Sequence, residues 1–337
     1  MVLCFAAVMA VALVGGAAPA FEEVPKIDGH AHFFDDMPEF AAMLDKIDMR
    51  VVNVCVNSLG PEMLVPGEMR AEMLSQKYKP HMFFCSTFDV SRRGEPDYVK
   101  RVIAWLDKSF EAGAVSVKIW KDVGMEIKSA DGKYIMPDDP MFDAIYDHIA
   151  KSGKPLTAHF ADPYEAWQPL KEGSLHYGYY SKNPEWHVYG RDGYPSHEQI
   201  MAARDNVLAK HPDLVMIGSH LASLDHDLDA LGRRLDKYPN LYVDVSARTH
   251  SLMMLYTPEK VREFFVRYQD RILFGTDADK FSGVEQPPAE KRAEFAEAME
   301  KGYRAQFDYY SKKVGLPEEV LHKFFHGNAE RLMPGLK

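Results

Sequence analysis

Short β-branched and apolar runs alternate along the chain with longer stretches whose apolar residues recur every three or four positions, the periodicities of strand and helix respectively. The runs that read as strands are 26–33, 51–56, 81–88, 114–120, 155–160, 214–219, 241–245 and 271–275. Between them the spacing predicts helices over 38–46, 68–77, 96–111, 141–151, 196–210, 225–237 and 258–268. In the helix over 96–111, Val99, Val102, Ile103 and Leu106 share one face and Gly113 closes the element. A hairpin is predicted where Ile127-Lys128 and Tyr134-Ile135 flank Asp131-Gly132. Beyond the last strand the pattern is helical over 289–312 and 317–325, with Asn328 placed to cap a final turn. Strand and helix in steady alternation predict a parallel sheet, and eight such units predict a closed (β/α)8 TIM barrel.

One connection breaks the rhythm. Residues 162–195, after the fifth strand, carry Tyr164, Trp167, Tyr177, Tyr179, Tyr180, Trp186, Tyr189 and Tyr194. A barrel connection of that length reads as a lid or binding loop.

The N-terminal residues 2–18 are apolar, and Ala18-Pro19-Ala20 fits a small-residue cleavage site, although no Lys or Arg precedes the apolar core. This predicts a signal peptide over 1–20, export to the periplasm or medium, and one barrel domain over 21–337 with no membrane span in the mature protein. A formal net charge of −10 argues against a nucleic-acid partner and leaves a small-molecule substrate. Homo-oligomerisation is left open. Past the leader only Cys55 and Cys85 remain, both within predicted core strands, so no disulfide framework is expected.

Candidate chemistry gathers at the strand ends. Strand alternation would put Asp28, His30 and His32 on one face of the first strand and Gly29 and Ala31 on the other. Lys118 lies on the fourth strand, His159 ends the fifth, His220 follows the sixth and Asp277 follows the eighth. In a TIM barrel those are positions on the C-terminal face, where residues distant in sequence form the active site. Neutral imidazoles bind zinc at about 2.0–2.1 Å, and a catalytic site keeps one position open.

The segments Ile27-Asp28-Gly29-His30-Ala31-His32, Val117-Lys118-Ile119, Ala158-His159-Phe160, Gly218-Ser219-His220, Phe274-Gly275-Thr276-Asp277 and Gly327-Asn328-Ala329-Glu330-Arg331-Leu332 give the chain a family likeness. It resembles the amidohydrolase superfamily, and within it the amidohydrolase-related branch that includes decarboxylases similar to aminocarboxymuconate semialdehyde decarboxylase. The resemblance implies one divalent metal, zinc first with manganese or iron as alternatives, held by His30, His32, His159 and Asp277. It implies proton chemistry at His220, with Asp277 sharing catalysis. Lys118 is either a carbamylated bridge between two metals, as in dinuclear relatives, or a substrate contact. Asp28 has no ligand role in that branch and is expected to hydrogen-bond behind the ligands. Trp120 and Arg248 are expected to touch substrate, Arg248 through its planar fork unless it serves a structural ion pair.

The resemblance implies an enzyme: a metal-dependent hydrolase whose activated water attacks an amide, ester or lactone bond. A non-oxidative decarboxylase would use the same ligands, and a catalytically inactive exported binding protein would keep only the barrel.

Overall fold

The computed structural model describes residues 19–56, 61–280 and 288–337, so residues 1–18 of the expected signal peptide lie outside the described residues. The strands are β1 (Lys26–Phe33), β2 (Met49–Val54), β3 (Met82–Thr87), β4 (Ser116–Ile119), β5 (Leu156–Ala158), β6 (Met216–Gly218), β7 (Leu241–Asp244), β8 (Ile272–Leu273) and β9 (Asp279–Lys280). Their spatial order is β8-β7-β6-β5-β4-β3-β2-β1-β9, every pair parallel. β9 follows β8 past a bend at Gly275, Thr276 and Asp277. Because β8 pairs with β7 while β9 pairs with β1, the sheet closes on itself. Backbone bonds from Gly29 to Phe274 (3.0 Å), from Asp277 to His30 (2.8 Å) and from His32 to Ala278 (2.8 Å) seal the seam. This is the expected TIM barrel, with the eighth strand expected over 271–275 shortened to Ile272–Leu273 and an additional strand, β9, beyond it.

Helices fill the connections near the predicted places, among them Pro38–Lys46, Tyr98–Glu111, Asp143–Lys151, His197–Lys210, Leu228–Lys237 and Pro258–Arg267. The helix expected over 68–77 starts earlier, at Pro61, and runs through Pro66 to Lys77. The predicted hairpin is present as an antiparallel bridge between Lys128 and Tyr134. The aromatic insertion holds only the short turns Tyr164–Trp167, Tyr177–Tyr180 and Pro184–Trp186. Among the described residues no helix is long and apolar enough to cross a membrane.

Asn328 does not cap a helix. Its backbone is helical, between the π-helical turn Lys323–Gly327 and the last turn Asn328–Leu332. Its side-chain amide instead donates to the carbonyls of Gln269 and Ile272, both at 2.8 Å, and fastens the C-terminal helix to the entry of β8. Leu332, Met333 and Leu336 then pack with Ile27, Val52, Val54, Val115, Ile217 and Leu273 as an apolar floor inside the lower barrel. A separate, larger core lies between strands and helices and contains Ala31, Phe33, Phe40 and Val51.

Those two cores reveal an irregularity in β1. Asp28 is opposite Val51 and Ala31 is opposite Asn53, so three steps along β1 match two along β2. The extra residue is a β-bulge, which reverses the facing of every later side chain. Ile27 therefore faces the barrel interior, Ala31 and Phe33 face the helices, and His30 and His32 turn inward. Asp28 does not share their face as expected. It lies on the helix side, where Thr276 N (3.0 Å), Thr276 Oγ1 (2.5 Å), Tyr303 OH (3.0 Å) and His30 N (3.2 Å) all donate to it. Full burial pushes this carboxyl up to about 6 despite those four donors.

Asp28 thus ties the bulge, the β8–β9 bend and an outer helix together. Replacing it by Ala strands several buried donors and is expected to cost about 3 kcal/mol or more, whereas Tyr303→Phe removes one donor and should cost about 1 kcal/mol. Urea unfolding of metal-free protein measures both. Equal losses in the two variants would refute the fastening role.

Candidate metal centre

A cavity of about 460 Å³ opens at the C-terminal end of the strands. Its walls are Phe34, Cys55, Val56, Leu64, Gly67, Trp120 and Tyr179, and its polar lining is His30, His32, Lys118, Lys121, His159, His220, Asp277 and Asp279. The fold therefore brings together five strand ends that the sequence separates by up to about a whole barrel. His32 Nε2 lies 3.2 Å and His30 Nε2 3.4 Å from Asp277 Oδ1. One donor atom each from His30, His220 and Asp277 falls within 4.8 Å of the others. The His159 and His220 rings meet edge to face with centroids 4.3 Å apart.

Three of these imidazoles have their Nδ1 committed to an acceptor behind the cavity. His30 Nδ1 donates to Asp244 Oδ2 at 2.9 Å, His32 Nδ1 to the Val54 carbonyl at 2.7 Å, and His220 Nδ1 to the Ser246 carbonyl at 2.8 Å. Each commitment fixes the tautomer and leaves a lone pair on Nε2. The Nε2 of His159 is buried with no hydrogen-bond partner, its nearest acid being Asp162 Oδ1 at 4.0 Å, an unusual cost for a polar atom and one that a metal ion would relieve. Burial also favours the neutral form of His30, His159 and His220. His220 is pushed down to about 3 and His159 well below its ordinary value, with neighbouring cations adding to the effect at His159. Asp277 moves the other way: burial disfavours its charge, but positive charge on the imidazoles that surround it, His220 first, would hold it well below the usual carboxylate range. Neutral imidazoles beside an ionised carboxylate are a donor set that fits a divalent cation.

Asp244 escaped the sequence reading. It ends β7, and its Oδ1 accepts from His220 N (2.9 Å), from Ser246 N (3.1 Å) and from the Ser246 hydroxyl, while Oδ2 takes the His30 ring. One buried carboxylate thus orients one imidazole directly and anchors the backbone of another. The only sequence signal was an aspartate among the apolar residues of a central strand.

The backbone around His220 is unusual. His220, Leu221, Ala222 and Ser223 all have φ between 54° and 60°, a left-handed turn costing roughly 1–2 kcal/mol per residue without glycine. Gly218 is required beneath it, since a Cβ there would come within 2.6 Å of the Ala222 Cβ. Partners from outside the barrel hold the turn: buried Arg204 donates to the Ala222 carbonyl at 2.7 Å and the His197 ring to that of Ser223 at 3.0 Å. Asp277 is also left-handed, at φ 59°. Such strain collects where side chains must be aimed.

The remaining expected residues divide. Lys118 is fully buried, with Nζ 3.3 Å from His30 Nε2 and 3.1 Å from Ser219 Oγ, and burial lowers its ammonium pKa. Trp120 lines the cavity, edge to face with Trp186 of the insertion at 5.4 Å. Arg248 does not line it. Its buried Nε faces Asp225 Oδ2 at 3.3 Å, the ion-pair alternative. Asp28 contacts the His30 backbone, not an imidazole. In Asp244→Asn the amide cannot serve both as acceptor for His30 and as acceptor for the His220 backbone. Metal affinity, measured by competition with a chelator, is expected to fall about 10- to 100-fold; unchanged affinity would rule out the orienting role.

A family model described as Amidohydrolase matches residues 27–334. No curated protein matches the chain. Among solved structures, an uncharacterised TIM-barrel protein from Bordetella bronchiseptica is 17% identical, covers 93% of this chain and 99% of its own, and superposes with a TM-score of 0.55. A 4-oxalomesaconate hydratase from Rhodopseudomonas palustris is 13% identical over 92% of this chain and 96% of its own, with a TM-score of 0.56. A 2,6-dihydroxybenzoate decarboxylase from Rhizobium is 15% identical over 92% and 99%, with a TM-score of 0.53. At those identities the likeness is one of fold, while the family match spans nearly all of the barrel: the chain belongs to the amidohydrolase superfamily, in its amidohydrolase-related branch.

Proposed function

We propose that this protein is a metal-dependent hydrolase acting on an amide, ester or lactone bond of a small organic molecule. The observation that carries the reading is the convergence of prepared Nε2 lone pairs and a carboxylate on the floor of one open cavity. His30, His32, His159 and Asp277 would hold one divalent ion, zinc being the first choice for an imidazole-rich set. When bound, such an ion supplies Lewis-acid polarisation of a substrate oxygen and acidifies a water.

The chain's own groups do the rest. The Nδ1 proton of His220 is committed to the Ser246 carbonyl, which leaves Nε2 in the cavity as the atom that would take up a proton and return it to a leaving group. Asp277 is kept ionised beside it. Phe34, Val56, Leu64 and Trp120 give the cavity an apolar side against which a substrate would displace water, which would strengthen the charge interactions beside it. Lys118 stays within reach of His30, where it would either contact substrate or, if carbamylated, bridge a second ion.

A second reading is a non-oxidative decarboxylase, in which His220 would deliver the proton that replaces the lost carboxylate. The apolar walls favour it, because decarboxylation needs no attacking water. An exported location, following the leader-like N-terminus, belongs to the proposal as well.

His30→Ala is expected to lose most bound metal by elemental analysis. His220→Asn should keep one equivalent while turnover falls about 100-fold or more, the usual weight of a proton-transfer group. Loss of a second equivalent in His220→Asn would show instead that His220 is a ligand in a two-metal site. For any substrate found, oxygen from labelled water in the product supports hydrolysis, and carbon dioxide release with solvent deuterium in the product supports decarboxylation.

A further inference from the structure

The charges that line the cavity are unevenly placed. Asp277 and Asp279 stand on the seam where β8, β9 and β1 meet, and Lys118 is engaged with His30 and Ser219. Just beyond β4, across the barrel from that seam, Lys121 supplies the other cation of the lining. It is only 4% exposed. Its Nζ is 2.5 Å from Asp162 Oδ1 at the root of the insertion, and lies 3.5 Å above the Trp186 ring, with the rings of Trp120 and Tyr179 also within 6 Å.

An ammonium has three N–H groups. One is used by Asp162 and the ring face meets another side, so a third is left for whatever enters the cavity that Lys121 lines. Asp162 meets the ammonium through Oδ1, which also lies 4.0 Å from His159 Nε2, while its Oδ2 is buried with no hydrogen-bond partner, so the carboxylate fixes the ammonium from one direction only. A buried lysine anchored in this way loses little side-chain entropy on meeting a ligand, which is preorganisation. The low local dielectric makes its charge count for more than at a surface.

We propose that Lys121 is a specificity-determining residue that selects substrates carrying a second anionic group, separate from the group that reacts at the imidazole cluster. This rests on the reading of the cavity as the active site. The substrate class is a small, flat molecule bearing one anion at the β4 wall, bounded by Trp120 and Tyr179, and its reacting group on the floor. Lys121 is not itself one of the ligands, although Asp162 Oδ1 lies 4.0 Å from His159 Nε2, and it orients the substrate through charge.

The test compares two probes on the metal-loaded protein by titration calorimetry: benzoate, with one carboxylate, and isophthalate, with two. Isophthalate is expected to bind about tenfold tighter or better, the weight of one charge-assisted hydrogen bond. Lys121→Met should abolish the preference and Lys121→Arg should restore most of it. Because Lys121→Met leaves Asp162 buried and unpaired, the double variant Lys121→Met/Asp162→Asn removes both charges and should behave in the same way. Asp162→Asn alone should keep or increase the preference, since the ammonium is then less neutralised. Equal affinities in the wild type, no binding of either probe, survival of the preference without Lys121, or its loss in Asp162→Asn would each overturn the proposal. Metal content measured on the same samples separates the two readings. Bound metal without the preference refutes the Lys121 role alone, whereas a wild-type protein that takes up no metal refutes the enzymatic reading, and a Lys121-dependent preference seen there still supports the anion site.

Discussion

A single surplus residue in β1 decides what this barrel can do. Without the bulge between Asp28 and Ala31, strict alternation would leave Ile27 in the floor and send His30 and His32 out among the helices. With it, the same strand contributes an apolar side chain to the lower interior and two imidazoles to the upper. Asp28 sits where the parity changes and gathers four donors from three elements. A buried carboxylate is a costly fastening, and its full complement of hydrogen bonds is what makes it tolerable.

The barrel interior is layered accordingly. Leu332, Met333 and Leu336 close the bottom, Ser116, Thr157 and Cys85 form a buried middle around Lys118, and the imidazoles crown the top. Packing at the bottom and orientation at the top are separate tasks, and different residues perform them. Asn328 serves the first by meeting two carbonyls at the entry of β8, and Asp244 serves the second by meeting one ring and one backbone.

Much of this was legible in the sequence because periodicity reports burial directly. The eight strand positions, the alternation with helices, the hairpin at Asp131-Gly132 and the assembly of His30, His32, Lys118, His159, His220 and Asp277 at one end all followed from spacing and chain order. What stayed hidden depended on tertiary partners. A one-residue bulge leaves no compositional trace, so strict alternation puts Asp28 on the face of His30 and His32, from which the bulge separates it. Asp244 reads as an ordinary strand residue until His30, far away in sequence, is placed beside it. Asn328 looks like a cap because capping is a local rule, whereas the carbonyls it meets belong to a strand entry more than fifty residues earlier. Arg248 could clamp a substrate or pair with an acid, and only the position of Asp225 separates those outcomes.

The left-handed turn at His220 ties chemistry to cooperativity. A stretch of L-residues holds that conformation only while the rest of the fold outweighs its local cost, and here the outside hold comes from Arg204 and His197 on the helix behind. His220 is therefore aimed by the barrel as a whole and not by its own loop. The turn is thus clamped between that helix and the Asp244 and Ser246 contacts of β7, so the aim of one side chain reports on the packing of two layers at once.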